Sequence, residues 1–178
     1  MAIGPDDGRT YAIETIYFAA LTLAKKRAWL TTPYFIPDLT LVAALRTAAL
    51  RGVDVRILLP RTPNQPFVYH AARSFFPELL EAGVKIYEYS NSKELHAKTA
   101  TVDGCWATVG SANLDLRSFR LNFETNAVAY GPKLAGELEL LFERDLEHAS
   151  LLVFLKFRKR AFLDRAYEGA ARVLAPLL

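Results

Sequence analysis

The chain has 178 residues, enough for one domain with a substantial core, and its 52% hydrophobic and 23% charged residues are typical of a globular rather than a disordered protein. The net charge of +3 is mildly basic and suits an anionic partner, such as phosphate, a phospholipid headgroup or nucleic acid, without selecting among them. No apolar run approaches the ~20 residues of a membrane-spanning helix, and the single cysteine excludes an internal disulfide.

Helical and extended patterns alternate along the first half of the chain. Apolar residues at helical spacing predict a helix over about residues 11–27, which ends in a basic cluster. A strand over 28–35 comes next, and Asp38 is suited to cap a helix that Gly52 terminates. A buried strand over 53–60, a helix over 67–83 that Pro77 interrupts, and a strand over 84–89 follow.

The second half is richer in strands. Strands are predicted over 96–103 and 105–112, joined by a tight turn at Asp103-Gly104, and an alternating strand over 122–130 follows. Gly131-Pro132 begins a last long helix to about residue 150. A βαβαβ order followed by several strands predicts an α/β layered fold around a mixed sheet.

Polar residues concentrate in the run LHAKTATVDGCWATVGSANLDLR, residues 95–117. Side chains at i and i+2 of a strand share a face, so His96 and Lys98 are expected to project together. The hairpin would return Ser111 and Asn113 towards the His96 end. A neighbouring strand would place Glu124 within reach of His96.

This group of side chains has a coherent chemistry. An imidazole can be nucleophilic or acidic near neutral pH, and a carboxylate such as Glu124 would fix its tautomer. Lys98 and the Asn113 amide would hold the non-bridging oxygens of a phosphoryl group. The residues therefore suggest attack on a phosphodiester by histidine. No cluster with metal-ligand spacing is present, and neither a metal nor another cofactor is expected.

The pattern His96-x-Lys98-x4-Asp103-x6-Gly110-Ser111-x-Asn113 resembles the signature of the phospholipase D superfamily. Further segments, TTPYFIPD, AALRGVDVRILLP, ELLEAGVKIYEY, GSANLDLRSFRLNFE and RVLAPLL, are similar to the C-terminal half of bacterial cardiolipin synthases. The resemblance runs from about residue 11 to residue 178. It implies a phospholipase D-type α/β/α sandwich lobe with a mixed β-sheet, and phosphatidyl transfer through a covalent phosphohistidine.

The sequence departs from the resemblance in one respect. Cardiolipin synthases usually carry two motifs in one chain, after membrane helices, whereas this sequence holds one motif. The family pattern assigns the nucleophile to the first histidine and the general acid/base to the second. His96 would then be the acid/base, or the nucleophile in a symmetric pair, and the chain would act as a homodimer or with a complementary half.

Other motif residues are given structural roles. Asp103 lies in the turn, where aspartate is common for backbone reasons, and Gly110 and Ser111 are also interpreted as structural. Tyr34 and Phe35 follow a predicted strand end, where α/β sites gather. They would either line a groove for acyl chains or pack in the core.

The chain is divided into a catalytic lobe, residues 1–150, and a basic amphipathic segment, residues 151–178. Four basic residues (Lys156, Arg158, Lys159 and Arg160) precede an apolar stripe at helical spacing (Leu163, Ala166, Tyr167, Ala170, Val173, Leu174 and Leu177). Such a segment either lies on an anionic bilayer or packs against its own domain or a partner.

The predicted function is a phosphatidyltransferase that makes cardiolipin from two phosphatidylglycerol molecules. Its expected partners are anionic phospholipid and a membrane surface, with the protein peripheral on the cytoplasmic face. A single-motif phosphodiesterase or nuclease and a non-catalytic half-lobe stay open as alternatives. The segments outside the motif argue against nucleic acid as the substrate.

Overall fold

The computed structural model describes residues 11–61, 66–90 and 95–174. The helices are α1 (Ala12–Leu23), α2 (Leu39–Leu50), α3 (Pro66–Arg73), α4 (Phe76–Glu81), α5 (Leu116–Arg120), α6 (Pro132–Leu146), α7 (Phe154–Arg158) and α8 (Phe162–Leu174). The strands are β1 (Arg27–Thr31), β2 (Phe35–Ile36), β3 (Asp54–Pro60), β4 (Lys85–Tyr89), β5 (Thr99–Val102), β6 (Trp106–Gly110), β7 (Leu114–Asp115), β8 (Asn126–Tyr130) and β9 (Ala149–Leu151).

Seven strands form one mixed sheet in the order β8-β6-β5-β1-β3-β4-β9. β1, β3 and β4 are parallel, as strands joined by crossover helices must be, while β5, β6, β8 and β9 run antiparallel to their neighbours. β2 and β7 pair separately in a short parallel ladder. The predicted mixed sheet is confirmed.

Helices cover both faces of the sheet. Leu30 and Ile57 point to one face, where they join a core with Leu21 of α1 and Leu45 of α2. Trp29, which precedes Leu30 in β1, points to the other face and stacks on Phe142 of α6 at 5.3 Å between ring centroids. Because neighbouring strand residues alternate between two apolar layers, the α/β/α sandwich predicted from the sequence is confirmed.

The first helix is shorter than predicted. It ends at Leu23, and Arg27 already begins β1, so the basic cluster does not form a helix C-terminus. Instead, the backbone N–H groups of Lys25, Lys26 and Arg27 donate to the carboxylate of Asp103, at 2.9, 2.7 and 3.0 Å. A partner 76 or more residues away in the chain thus overrides the local helical pattern.

Strand bounds also differ from the prediction. His96 and Lys98 precede β5, residues 122–125 precede β8, and α6 ends at Leu146. The short strand β9 beside β4 was not predicted, because three residues are too few to distinguish a strand from the end of the helix predicted to about residue 150. Pro77 does divide the predicted helix over 67–83, since it lies in the first turn of α4.

The C-terminal segment packs on the lobe through α8. Arg73 of α3 donates from Nε to Glu168 at 3.1 Å, and Arg172 donates from Nη2 to Glu78 of α4 at 2.8 Å. The division at residue 150 stays a prediction. Within residues 11–61, 66–90 and 95–174, no helix combines the length and hydrophobicity required to cross a membrane.

Candidate active site

The polar residues of the motif, apart from Asp103, gather where β1 ends and β5 begins. Thr31, the last residue of β1, pairs with Thr99, the first residue of β5. β6 then returns antiparallel to β5, so its last residue, Gly110, lies beside Lys98 and donates its N–H to the Lys98 carbonyl at 3.2 Å. The residues that follow Gly110 therefore reach the histidine side of the hairpin, as predicted from the sequence.

His96 and Lys98 lie in direct contact although they precede the strand. The Lys98 Nζ lies 3.3 Å from Nδ1 and 3.4 Å from Nε2 of His96, and it donates to the His96 carbonyl at 2.9 Å. The imidazole is exposed, whereas Lys98 is buried. Burial lowers the pKa of the Lys98 ammonium, against the opposing effect of the charges on Glu124 and Asp115.

Glu124 does not form the expected hydrogen bond with His96 but binds three other side chains. It accepts hydrogen bonds from Ser111 Oγ, from Ser118 Oγ at 3.1 Å and from Asn122 Nδ2 at 3.3 Å. No hydrogen bond joins it to His96 in the described part of the chain. The predicted contact is corrected because residues 122–125 lie outside β8, so strand alternation does not aim this carboxylate at the imidazole.

Ser111 ties the loop after β6 to the segment before β8. Its N–H donates to the Thr125 carbonyl and its Oγ accepts from the Thr125 N–H, both at 3.0 Å. A Cβ on Gly110 would lie 2.3 Å from the Thr125 oxygen and 2.4 Å from Oδ1 of Asn126. Glycine is therefore required at this position for the two segments to approach.

Asn113 presents an amide with unused hydrogen-bonding capacity. Its side-chain Oδ1 is buried and has no hydrogen-bond partner among the described residues, while its backbone N–H donates to Ser118 Oγ at 3.1 Å. A buried polar atom without a partner is costly, so this amide suits a ligand. Rotated by 180°, it would offer Nδ2 to a phosphate oxygen.

Two neighbouring residues have roles that the sequence analysis did not assign. Asp115 caps α5 by accepting from the Ser118 N–H at 2.7 Å, and burial raises the pKa of this carboxyl. Thr32 accepts from the Leu114 N–H at 3.3 Å and donates to the Tyr34 carbonyl at 2.7 Å. Aspartate three residues before serine is a helix-capping pattern, so the spacing of Asp115 and Ser118 could have indicated that Asp115 caps a helix.

Asp103 lies at the opposite end of β5 from Lys98. Asp103 and Gly104 have φ angles of 53° and 66°, and Cys105 N–H donates to the Val102 carbonyl at 3.1 Å, which is the geometry of a type I′ turn. Burial opposes ionisation of Asp103, but the backbone N–H groups of Arg27, Lys26 and Lys25 outweigh it and hold its pKa below the usual value. This geometry suits a structural residue.

Phe35 and Tyr34 differ in their surroundings. Phe35 is 1% exposed and packs in the core near Phe76, with 6.3 Å between ring centroids. Tyr34 is half-buried against the same core. Core packing, one of the two alternatives left open for these residues, describes Phe35.

The sequence matches a known protein family and several known relatives. The family described as cardiolipin synthase, PLD-like domain matches residues 17–146. Cardiolipin synthases from Halalkalibacterium halodurans and Geobacillus thermodenitrificans are 49% and 47% identical over 178 residues, which are 100% of this chain and 35% of each relative. The chain therefore spans about a third of the length of these relatives.

Solved structures share the fold. Nuc from Salmonella typhimurium, a phospholipase D family member, superposes with a TM-score of 0.68 at 24% identity, over 78% of this chain and 89% of that chain. Phosphatidylserine synthase from Haemophilus influenzae superposes with a TM-score of 0.77 at 18% identity, over 99% of this chain and 46% of that chain. The α/β/α lobe thus corresponds to most of one protein and to about half of the other.

Proposed function

The chain belongs to the cardiolipin synthase, PLD-like domain family, and on that basis we propose that it transfers a phosphatidyl group from one phosphatidylglycerol to the glycerol hydroxyl of another. The observation that carries the proposal is the exposed His96 imidazole in contact with the buried Lys98 ammonium. A nucleophile beside a fixed positive charge is the arrangement that attack on an anionic phosphodiester requires.

The reaction has two steps. In the first, a histidine nitrogen forms a bond to phosphorus, the bond from phosphorus to the glycerol oxygen breaks, and a second histidine gives that oxygen a proton. In the second, the acceptor hydroxyl gives its proton to the second histidine, its oxygen bonds to phosphorus, and the bond from phosphorus to the first histidine's nitrogen breaks. The products are cardiolipin and glycerol, and both histidines return to their initial states.

Lys98 and Asn113 bind the non-bridging oxygens in this scheme. The Lys98 ammonium supplies the positive charge, and the Asn113 amide, rotated so that Nδ2 takes the place of the unpartnered Oδ1, donates to a phosphate oxygen. Glu124 positions the site by holding Ser111 and Ser118, rather than by orienting His96 directly. No cofactor takes part.

A second histidine has to come from another lobe, because one imidazole cannot be nucleophile and general acid in the same step. Leu121 and Phe123 flank Asn122 beside the site, and Phe123 is 88% exposed. β8 lies at the edge of the sheet. This apolar surface next to the site supports the pairing of two lobes, either as a homodimer or with a complementary phospholipase D half.

The substrate class also suggests a location. Phosphatidylglycerol is embedded in the bilayer, and the net charge of +3 favours an anionic membrane over a neutral one. We therefore place the protein at the membrane surface, as a peripheral protein on the cytoplasmic face.

The test is to incubate the purified chain with phosphatidylglycerol vesicles and, separately, with DNA, and to analyse both sets of products. Cardiolipin and glycerol are expected from the vesicles, and His96→Ala should abolish both. Cleaved DNA without a lipid product would instead identify a nuclease. An inactive wild-type chain that remains inactive as a dimer would identify a non-catalytic lobe.

A further inference from the structure

Helix α8 turns its polar side towards the protein and its apolar side towards solvent. Glu168 is only 2% exposed, and Ala171 is also buried. Phe162, Leu163 and Val173 are 77%, 78% and 78% exposed. A helix packed on a globular domain normally has the reverse orientation, because its apolar stripe faces the core.

Ionic contacts hold α8 in this orientation. The Glu168 carboxylate accepts from Arg73 Nε at 3.1 Å and from Arg160. Arg73 also donates to Glu88 of β4 at 2.9 Å, which anchors the pair to the sheet. Because a buried charge cannot leave its partners without a large cost, the helix cannot rotate its apolar side inwards.

A second anchor lies one turn further along α8. Arg172 donates from Nη1 to the Ser74 carbonyl at 3.2 Å, in addition to its contact with Glu78. Two ionic attachments on the same side of the helix fix its rotation. The exposed apolar side is therefore a built feature of the fold and not a consequence of a loosely placed terminus.

The exposed side forms one continuous arc. At 100° per residue, its members fall within about a third of the helix circumference. They are Phe162, Leu163, Ala166, Ala170 and Val173, all exposed, and we name this set the C-terminal face. Scattered exposed apolar residues need no explanation, but several on one side of one helix indicate an interaction surface.

Exposed basic residues lie close to the C-terminal face in the sequence. Among the described residues from 151 onwards, four basic side chains are exposed: Lys156, Arg158, Lys159 and Arg165. Asp164 is the only exposed acidic residue in the same described range. An apolar helix side bordered by positive charge is the pattern of helices that lie in the interface of an anionic bilayer. A protein partner with a plain apolar groove would not account for the charge.

Helix α8 lies on the part of the lobe that follows the carboxyl ends of the parallel strands. The site lies at the carboxyl end of β1, α3 follows the carboxyl end of the neighbouring parallel strand β3, and α8 packs on α3. A groove of about 250 Å³ runs between Arg172 and Leu116, which directly follows Asp115. The groove is otherwise lined by Ile36, Pro37, Asp38, Leu39 and Phe75.

We propose that the C-terminal face docks on an anionic bilayer, with its apolar side chains below the headgroups and the flanking basic residues against them. Docking would hold the lobe, and with it the exposed His96, close to the lipid surface. The inference deepens the proposed function, on which it rests for the lipid substrate, but docking itself requires no catalysis.

The test is flotation of the 178-residue chain with vesicles of phosphatidylcholine alone or mixed equally with phosphatidylglycerol. The wild-type chain is expected to float with the mixed vesicles and not to bind vesicles of phosphatidylcholine alone. Leu163→Gln with Val173→Gln should weaken binding about tenfold or more, since both apolar groups leave the interface. Lys156→Gln with Lys159→Gln should weaken it about fivefold for each charge removed.

A matched control is Leu23→Gln with Leu50→Gln. These leucines are 75% and 70% exposed, but they lie near the ends of α1 and α2, at the opposite end of the sheet. The control should bind like wild type, and urea unfolding should show that all variants are folded. Equal binding by the control pair and the C-terminal-face pair would overturn the proposal.

Two further outcomes separate the alternatives. If Leu163→Gln with Val173→Gln converts a dimer into a monomer and leaves vesicle binding intact, the face joins two copies of the chain and the lipid proposal is wrong. His96→Ala should dock like wild type. Docking by a wild-type chain that shows no transferase activity would count against the proposed function alone.

Discussion

Lys98 Nζ lies 3.3 Å from His96 Nδ1, with the ammonium buried and the imidazole exposed. The two residues thus present a fixed charge and a reactive ring to the same approaching phosphate. Lys98→Met should reduce kcat/KM about 10²–10³-fold, the usual cost of removing one group that stabilises a transition-state charge. Assays on phosphatidylglycerol vesicles measure this, with Lys133→Met on α6 as the control.

The pH dependence of the rate should report the same lysine. Burial lowers the pKa of Lys98, so the ammonium is present below that lowered value and is lost as the pH rises through it. The rate should therefore fall on the alkaline side before the ordinary lysine value of 10.5 is reached. Lys98→Arg keeps the charge and should move this limb to higher pH. An alkaline limb that stays in place in Lys98→Arg would assign it to another group.

Asp103 should matter for stability more than for chemistry. Asp103→Ala removes the acceptor of three backbone N–H groups and should lower the free energy of unfolding by about 1–2 kcal/mol, whereas Asp103→Asn keeps one acceptor oxygen and should cost less. Asp103→Asn should also retain far more activity than His96→Ala. A folded Asp103→Asn chain as inactive as His96→Ala would show that the structural assignment is wrong.

The stabilisation by Asp103 should depend on pH in a defined direction. Its folded pKa is lowered, so its contribution is complete above the unfolded value of about 4 and is lost as the pH falls through the folded value. The difference in urea midpoint between wild type and Asp103→Asn should therefore shrink in acid. A difference that is constant from neutral pH into acid would contradict the role of the charge.

Gly110→Ala should damage the site. The added Cβ would lie 2.3 Å from the Thr125 carbonyl oxygen, so one of the two segments must move, at a cost of about 2 kcal/mol. Gly136→Ala in α6 is the matched control, because a Cβ there meets open space and alanine favours a helix. Urea unfolding and the transferase assay should separate the two variants. Equal stability of both would show that the contact between the segments is not required.

Subunit mixing should reveal the shared site. If two copies each contribute His96 to one site, a dimer of a wild-type and a His96→Ala chain is nearly inactive, and activity after full exchange falls as the square of the wild-type fraction. Mixing with His148→Ala, which changes an exposed ring far along the chain, should leave activity unchanged. A linear fall with complete exchange would mean that each chain carries an independent site.

Chelation should leave the rate nearly unchanged. Lys98 and Asn113 supply the contacts to the phosphoryl oxygens in the proposed scheme, so no divalent ion is needed for that task. The check is a vesicle assay before and after exhaustive treatment with a chelator. A rate that disappears with the chelator and returns with a divalent cation would refute the scheme.

Much of the fold and the composition of the site could be predicted from the sequence, because both depend on local patterns. A buried apolar run predicted the central strand β3, and the turn at Asp103-Gly104 predicted the hairpin that returns the residues after Gly110 to the end of β5 near Lys98. These relations span few residues, so propensity and spacing are sufficient to predict them.

Tertiary structure alone decided three other features. Glu124 contacts Ser111 and Ser118 instead of His96, the basic residues after α1 leave the helix for Asp103, and α8 exposes its apolar side. Each depends on a hydrogen bond or ion pair between residues that are distant in the chain or that lie outside regular structure. Buried polar groups must find partners wherever the fold supplies them, and for α8 the partner of Glu168 is Arg73, 95 residues away. The sequence alone shows the apolar periodicity of α8. Which side of the helix packs on the protein is determined by the ion pair of Glu168 with the distant Arg73.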